Sequence, residues 1–368
     1  MHNFQVSKEI ALLGLLLFVL GLAVGPSILW ALLSEEYGRQ YLFISTYAAF
    51  VAFTAGAAVS KNAQTLIILR FFSAFFGAAP YTNASAVIAD MFPASERGLA
   101  MTIFGAAPFL GPAIAAGGWR RIQGLMAAFG GVIFILCCVF VPETYAPYLL
   151  RRRAKRLATA TGKYFRSSFE IHQGRKTFGQ ELARVLGRPW VLLVHEPIVL
   201  LMTIHLSVIY GTLYLFFAAF PIVYQLQRGW PPAISGLAFL GTVVGMCVSI
   251  LYVALYDNKR YARIIQSNNG AAPPEARLPV AMLGAVLVTG GLFWFAWTNG
   301  FDVHWIVSIV ASGFFAAGMV LVFVGVCNYL IDSYVLYAAS VLAANTVVRS
   351  IFGAAFPLFT EQMYNNLV

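Results

Sequence analysis

The stretch LIILRFFSAFFGAAPYTN, residues 66–83, is apolar and aromatic apart from one arginine, Arg70. A run of about 20 apolar residues is long enough to cross a bilayer as a helix. A charged group inside such a helix is costly, and it normally faces the bundle interior or a water-filled pathway. The stretch therefore predicts a membrane helix with a polar inner face. A packing role, in which Arg70 bonds backbone carbonyls, is the alternative.

Composition extends this prediction to the whole chain. Of its 368 residues, 60% are hydrophobic and only 10% are charged, whereas a soluble domain carries charge at about a quarter of its positions. The mean hydropathy is +0.78. The first apolar run is longer than the core of a signal peptide, so we interpret it as a membrane helix. Runs of spanning length predict about ten transmembrane helices, near residues 10–33, 41–60, 63–90, 98–117, 122–141, 199–224, 232–256, 278–298, 304–329 and 335–359.

The placement of the net charge of +10 indicates an orientation. Between residues 143 and 198, eleven Lys or Arg residues stand against four Glu, and they include RRRAKR at residues 151–156. The basic residues concentrate in alternate loops, which is the positive-inside pattern. These loops are therefore expected on the cytoplasmic side, and both ends of the chain on the other. We interpret RRRAKR as attraction to anionic lipid rather than nucleic-acid binding.

The basic segment predicts three regions: an N-terminal helical half at residues 1–142, a cytoplasmic central loop at 143–198 and a C-terminal helical half at 199–368. A weak repeat between the halves supports this division. Each copy begins with Gly-x-x-x-Gly, a spacing that lets membrane helices approach closely. The two glycine pairs are Gly21 and Gly25, and Gly241 and Gly245.

A second arginine, Arg349, lies near the middle of the last predicted span, and Asn345 lies one turn before it on the same helix face. Two arginines, one in each half, indicate a polar interior. Aromatic stripes are more often simple packing, but if they line a cavity they suit hydrophobic or cationic ligands. The further candidates for the cavity are Tyr81, His205, Tyr210, Tyr214 and Asn328.

Several kinds of chemistry find no support in the sequence. It contains no phosphate-binding loop, catalytic triad or zinc-protease motif, and its four cysteines lie in predicted spans without metal-ligand spacing. We therefore expect no enzyme activity, no catalytic residue, no metal and no cofactor. The carboxylates lie at helix ends or in loops, so no mid-membrane acid is available for proton coupling.

Several runs resemble motifs of the major facilitator superfamily. LLSEEYGRQ (residues 32–40) resembles its loop between helices 2 and 3, RFFSAFFG (70–77) its helix 4 motif, and GAAPFLGPAIAAGG (105–118) its antiporter motif of helix 5. VIADMFPASERG, VPETYAPYLLRRRAKRL and AANTVVRSIFGAAFPLF are similar to runs in its fungal drug:proton antiporter branch, the multidrug and polyamine exporters.

The resemblance implies the major facilitator fold, which has twelve helices in two pseudo-repeated halves. Residues 1–142 would hold family helices 2–6 and residues 199–368 helices 7–11, so helix 1, part of the helix 5–6 region and helix 12 are expected to be lacking. Within the motifs, Gln40 replaces a usual basic residue, and the second Gly-Pro of the helix 5 motif is absent.

The resemblance also implies a function, which is export of small cationic or amphipathic compounds by proton antiport and alternating access. Arg70 would couple protons or organise the cavity. Glu35, Gly38 and Arg39 would form a conformational latch on the cytoplasmic side. The antiporter motif of helix 5 would be formed by Gly105, Gly111, Pro112, Gly117 and Gly118.

The implied partners are the lipid bilayer, a small-molecule substrate such as a drug, polyamine or toxic metabolite, and protons. No nucleic acid is expected, and the chain is expected to be monomeric. We expect the plasma membrane, with the vacuolar membrane as the alternative. The alternative function is a truncated, non-transporting membrane protein derived from such an exporter.

Overall fold

The computed structural model describes residues 8–25, 30, 38–106, 119–163, 165, 178–268, 272–300, 303–335 and 337–367, and these contain helices and no strand. The helices of the first two hundred residues are α1 (Lys8–Gly25), α2 (Arg39–Ala58), α3 (Ala63–Met91), α4 (Ala94–Ala106), α5 (Trp119–Phe140), α6 (Ala146–Thr161) and α7 (Phe178–His195). They are followed by α8 (Pro197–Phe220), α9 (Pro232–Leu237), α10 (Leu240–Tyr252), α11 (Asn258–Ser267), α12 (Leu278–Thr298), α13 (Trp305–Ser333) and α14 (Ala338–Leu367). Short π-helical segments, Pro221–Gln227 and Val253–Asp257, extend α8 and join α10 to α11.

Within the described part of the chain, eight helical stretches are long and apolar enough to cross a membrane. They confirm eight of the predicted spans. The remaining two, near residues 10–33 and 98–117, fall partly outside the described residues, and a shorter apolar helix, Leu16–Gly25, lies within the first of them. The all-helical polytopic architecture predicted from composition is therefore confirmed.

The chain divides into two compact units. The first contains residues 1–91 and 123–197, and the second contains residues 92–122 and 198–368. The first unit thus takes in the segment predicted as a central loop, up to residue 197. Residues 92–122, which include α4, group with the later helices instead of with the first half.

In the first unit, α3 is the helix on which the others pack. A Cβ atom added at Gly21 or at Gly25 would lie 2.7 Å from the carbonyl oxygen of Phe71 or Phe75, respectively. Because these positions of α1 carry no side chain, its backbone rests directly on α3. On the opposite side, Phe53 of α2 stacks on Phe72 and Phe76, with both ring centroids at 5.5 Å.

In the second unit, α13 occupies the equivalent central place, and 72% of its apolar stretch is buried. A Cβ atom at Gly241 would lie 2.5 Å from the carbonyl oxygen of Ile309, and one at Gly245 would overlap that of Gly313. The glycine pair of α10 thus contacts the backbone of α13 as the pair of α1 contacts that of α3. This correspondence supports the repeat that the sequence predicts.

A third helix, α12, also contacts the backbone of α13 through its glycines. A Cβ atom at Gly284 of α12 would lie 2.6 Å from the carbonyl oxygen of Gly318, and one at Gly291 would lie 2.5 Å from the amide nitrogen of Phe315. Apolar side chains gain nothing by leaving lipid, so membrane helices associate through close backbone approach and packing. The glycines therefore position α10, α12 and α13 relative to one another.

Candidate functional site

Arg70 lies on α3, half-buried, and faces α5. With the amide of Gln123 oriented so that its oxygen faces the guanidinium, that oxygen accepts hydrogen bonds from Nε at 3.3 Å and Nη2 at 2.9 Å. A neutral amide satisfies donors of the guanidinium without cancelling its charge. The first unit therefore holds a positive charge inside a membrane span, as the sequence predicts, and Gln123 is the partner that the sequence did not reveal.

The predicted latch residues Gly38 and Arg39 lie at the start of α2. Gly38 has a φ of 92°, which other residues rarely adopt. A side chain there would also collide with the Oε2 atom of Glu143, which follows α5. The carboxylate of Glu143 accepts hydrogen bonds from the backbone N–H groups of Arg39 at 3.0 Å, Gln40 at 3.1 Å and Tyr145 at 3.0 Å. Glu143 thus caps the positive N-terminal end of α2.

Replacing Glu143 by glutamine is expected to loosen the first turn of α2. A single amide oxygen cannot replace two carboxylate oxygens as acceptors, and the negative charge at the helix N-terminus is lost. A cap of this kind contributes about 1–2 kcal/mol, so hydrogen exchange of the amides of Arg39 and Gln40 should accelerate by about 5- to 30-fold. Exchange measured by mass spectrometry in detergent tests this. The exposed Glu275→Gln serves as the control, and equal exchange in the two variants would contradict the capping role.

Arg349 lies on α14 in the second unit, with only 4% of its surface exposed. Its guanidinium carbon lies 4.7 Å from the ring centroid of Tyr210 and 5.0 Å from that of Phe323. Both distances are within the range of cation–π attraction, which strengthens when the cation is removed from water. Phe323 on α13 and Tyr210 on α8 thus both contact the cation of α14.

Polar groups surround this arginine. Asn345, one turn before it, donates from Nδ2 to Oγ1 of Thr203 at 3.4 Å. The hydroxyl groups of Tyr210 and Tyr214 lie 3.5 Å apart. Gly353 leaves room for both rings, because a Cβ atom there would lie 3.0 Å from Tyr210 and 3.1 Å from Tyr214. Four predicted cavity residues, Arg349, Asn345, Tyr210 and Tyr214, therefore lie along the facing sides of α8 and α14.

The other predicted residues are placed differently. Asn328 is buried on α13, at 1% exposure, and its Oδ1 atom accepts no hydrogen bond from any described residue. His205 is exposed on α8, away from the tyrosines, and Tyr81 is half-buried on α3. Gly105 lies in the last turn of α4. The predictions for Glu35, Gly111, Pro112, Gly117 and Gly118 fall outside the described residues.

A charged cluster in the second unit was not predicted. Asp332, near the end of α13, accepts from Arg97 Nη1 at 3.2 Å, Arg277 Nε at 3.0 Å and the hydroxyl of Tyr261 at 3.0 Å. Arg277 is only 2% exposed, and its guanidinium carbon lies 3.4 Å from the ring centroid of Tyr261. α4 approaches closely here, because a Cβ atom at Gly98 would lie 2.5 Å from Oδ1 of Asn258.

The match to known proteins agrees with this architecture. The family model described as Major Facilitator Superfamily matches residues 1–357. The chain belongs to the Major Facilitator Superfamily. It is 56% identical to the MFS-type efflux pump MFS2 of Trichophyton rubrum over 375 residues, covering 100% of this chain and 63% of the relative.

Further fungal relatives match the chain at similar identity and over a similar share of their length. The chain is 54% identical to the major facilitator superfamily multidrug transporter mdrA of Aspergillus fumigatus, covering 99% of this chain and 61% of that protein. It is 52% identical to the efflux pump FUBT of Fusarium oxysporum, covering 99% of this chain and 63% of that protein. The chain thus spans 61 to 63% of the length of these relatives.

Solved structures of the superfamily share the fold. One is the proton:xylose symporter XylE, with a TM-score of 0.66 at 16% identity, covering 99% of this chain and 82% of that one. Another is the human organic anion transporter MFSD10, with a TM-score of 0.64 at 15% identity, covering 98% of this chain and 80% of that one. The family match and the apolar helices make this an integral membrane protein of a superfamily of transporters, and the solved structures show that it shares their fold.

Proposed function

We propose that this protein exports small cationic or amphipathic compounds by alternating access, in exchange for protons. The fungal relatives named as efflux pumps and as a multidrug transporter support export of small molecules. We further propose that it acts as a monomer in the plasma membrane. Microscopy of a fluorescent fusion distinguishes this location from the vacuolar membrane.

The observation that carries the proposal is the buried arginine between two aromatic rings. Arg349 is held in a membrane span by Tyr210 and Phe323, and polar side chains at Asn345 and Thr203 lie beside it. Ring faces that stabilise a guanidinium are chemically suited to other cations and to flat apolar groups. The unsatisfied Oδ1 atom of Asn328 supplies a buried acceptor, a feature that in a native structure calls for an explanation such as a ligand.

Alternating access requires contacts that form and break at the ends of the helices. The Asp332 cluster joins α4, α11 and α13 at a helix end through charges. The Glu143 cap joins α2 to the end of α5 in the first unit. We propose that both act as latches on the cytoplasmic side, as the sequence predicted for Gly38 and Arg39.

Proton coupling is assigned to Arg70 because of its place in the helix 4 motif. The half-buried guanidinium, bonded to a neutral amide, keeps its charge inside a span. The Arg70→Ala variant should retain the fold and lose transport driven by the pH gradient.

Efflux of rhodamine 6G, a cationic amphipathic dye, tests the function in yeast cells that lack their major drug exporters. We expect the full chain to lower dye accumulation, and a protonophore to abolish the effect. Arg349→Ala should reduce the efflux rate about tenfold, which corresponds to about 1.4 kcal/mol and is within the range of a desolvated cation–π contact.

The control for both variants is Arg263→Ala, which removes an exposed cation from α11. Its efflux rate should equal that of the unchanged chain. Dye accumulation at the empty-vector level, despite protein in the membrane, would favour the non-transporting alternative. Efflux that persists with a protonophore would contradict proton coupling while leaving export intact.

A further inference from the structure

Helix α6 follows directly on a membrane span. α5 ends at Phe140 and α6 begins at Ala146. The five residues between them can cover at most about 17 Å even when fully extended. The start of α6 is therefore held close to the membrane end of α5, on the side that the positive-inside pattern assigns to the cytoplasm.

One side of α6 packs against its own unit. Ala154 is 9% exposed, and Tyr148 and Arg151 are half-buried. Tyr148 approaches the start of α2, since its Cδ1 atom would lie 3.1 Å from a Cβ atom at Gly38. These residues are three positions apart and share one side of the helix, so this side of α6 is turned toward its own unit, with Tyr148 at the start of α2.

The other side of α6 carries an exposed apolar stripe. Leu149, Leu150 and Leu157 are exposed by 42%, 43% and 42%. At about 100° per residue they fall within a sector of roughly 100°, the width typical of a face that is buried against another phase. Each of these leucines keeps more than two fifths of its surface exposed, and it would lose that exposure on contact with a membrane.

The same helix is strongly basic. Arg152, Arg153, Lys155 and Arg156 are exposed, and Ala146–Thr161 contains no acidic residue. Arg152 and Arg156 flank the leucines on one side, and Arg153 lies among them. Long basic side chains can extend their stems along apolar surface while the charged group stays at a polar boundary. A leucine stripe bordered by arginines is typical of helices that lie in the membrane interface.

We propose that the exposed face of α6 lies on the cytoplasmic surface of the membrane, with its three leucines at the acyl boundary and its basic side chains on anionic phospholipid headgroups. Charge complementarity selects this occupant, because anionic lipids attract basic segments that adjoin a membrane span. The short connection to α5 keeps the helix within reach of that surface. This interaction is independent of whether the chain transports a substrate.

A fluorescent probe on α6 tests the proposal in the full chain, reconstituted in nanodiscs after serine replaces its four cysteines. An environment-sensitive label is attached through Leu157→Cys, or through Thr159→Cys on the basic side as the matched control. The discs contain phosphatidylcholine alone or with phosphatidylserine, and some carry lipid spin-labelled near the headgroup.

The Leu157→Cys probe should be blue-shifted and quenched by spin-labelled lipid, about twofold more with phosphatidylserine than without it. The Thr159→Cys probe, on the headgroup side, should report a more polar environment than the Leu157→Cys probe and should be quenched less. The triple variant Arg152→Gln, Lys155→Gln and Arg156→Gln, or high salt, should remove the phosphatidylserine-dependent part of the quenching. A matched variant on α11, Lys259→Gln with Arg263→Gln, should leave it unchanged.

Two results would overturn the proposal. If the two probes show the same polar emission and no quenching in either lipid, the leucine face is in water. If the Leu157→Cys probe is apolar but unaffected by spin-labelled lipid, the face is covered by protein. Elution of each variant as a single symmetric peak ensures that a negative result reports on α6 and not on misfolding.

Discussion

Replacing Asp332 by asparagine is expected to lower the thermal stability of the second unit more than any other single polar substitution among the described residues. The carboxylate accepts from Arg97 at 3.2 Å and from Arg277 at 3.0 Å, and only 2% of Arg277 is exposed. Removing the shared acceptor of a largely buried, hydrogen-bonded ion pair costs about 3–5 kcal/mol. We expect the unfolding midpoint in detergent to fall by about 5–15 °C.

Two further variants make this prediction specific. Glu275→Gln removes an exposed carboxylate two residues before Arg277, and it should leave the midpoint unchanged. The double variant Arg277→Met with Asp332→Leu removes the more buried of the two ion pairs and keeps Arg97, and it should be more stable than Asp332→Asn, because apolar residues can replace a buried ion pair with little cost. If Asp332→Asn and Glu275→Gln have the same unfolding midpoint, the cluster does not stabilise the unit.

Replacing Gly245 by alanine is expected to separate α10 from α13. The added Cβ atom would overlap the carbonyl oxygen of Gly313 and would lie 2.7 Å from its carbonyl carbon. All the atoms that the new Cβ would meet belong to the backbone of Gly313, so no side-chain rotation can relieve the clash. We expect a loss of about 3 kcal/mol, at the upper end of the usual cost of overpacking. Thermal unfolding of the purified chain in detergent measures it.

Gly290→Ala on α12 is the matched control, because no atom lies within 4 Å of its added Cβ. At an unobstructed helical position, alanine should stabilise the helix by about 0.5–1 kcal/mol. The two Gly→Ala changes are therefore expected to shift the midpoint in opposite directions. Equal shifts would mean that close backbone contact between α10 and α13 is not what holds them together.

Local sequence pattern predicts which of the candidate residues share a helix face. A spacing of four places Arg349 and Asn345 on one helix face, and the same spacing places Tyr210 and Tyr214 on another. The structure brings these two faces together. His205 shares the helix of the tyrosines but is exposed. Periodicity shows which residues share a face, but which faces point inward depends on the neighbouring helices.

Other contacts join residues too distant in sequence for any pattern to pair. Gln123 reaches Arg70 from another helix, Glu143 caps α2 from a position about a hundred residues later, and Asp332 joins arginines at 97 and 277. A carboxylate at the end of a predicted span was the one available signal for Asp332. The sequence contains many such carboxylates, so this signal alone could not select it.

By itself the amino-acid sequence determined that the chain is an all-helical membrane protein, because apolar runs of spanning length can satisfy their backbone in lipid only as helices. It also predicts an orientation from the basic loops and a close helix approach from the glycine pairs. Only the tertiary structure decided which helix each glycine pair contacts, which carboxylate neutralises the buried Arg277, and which face of α6 is left exposed. These depend on distances between helices, and such distances are set by packing among residues far apart in the chain.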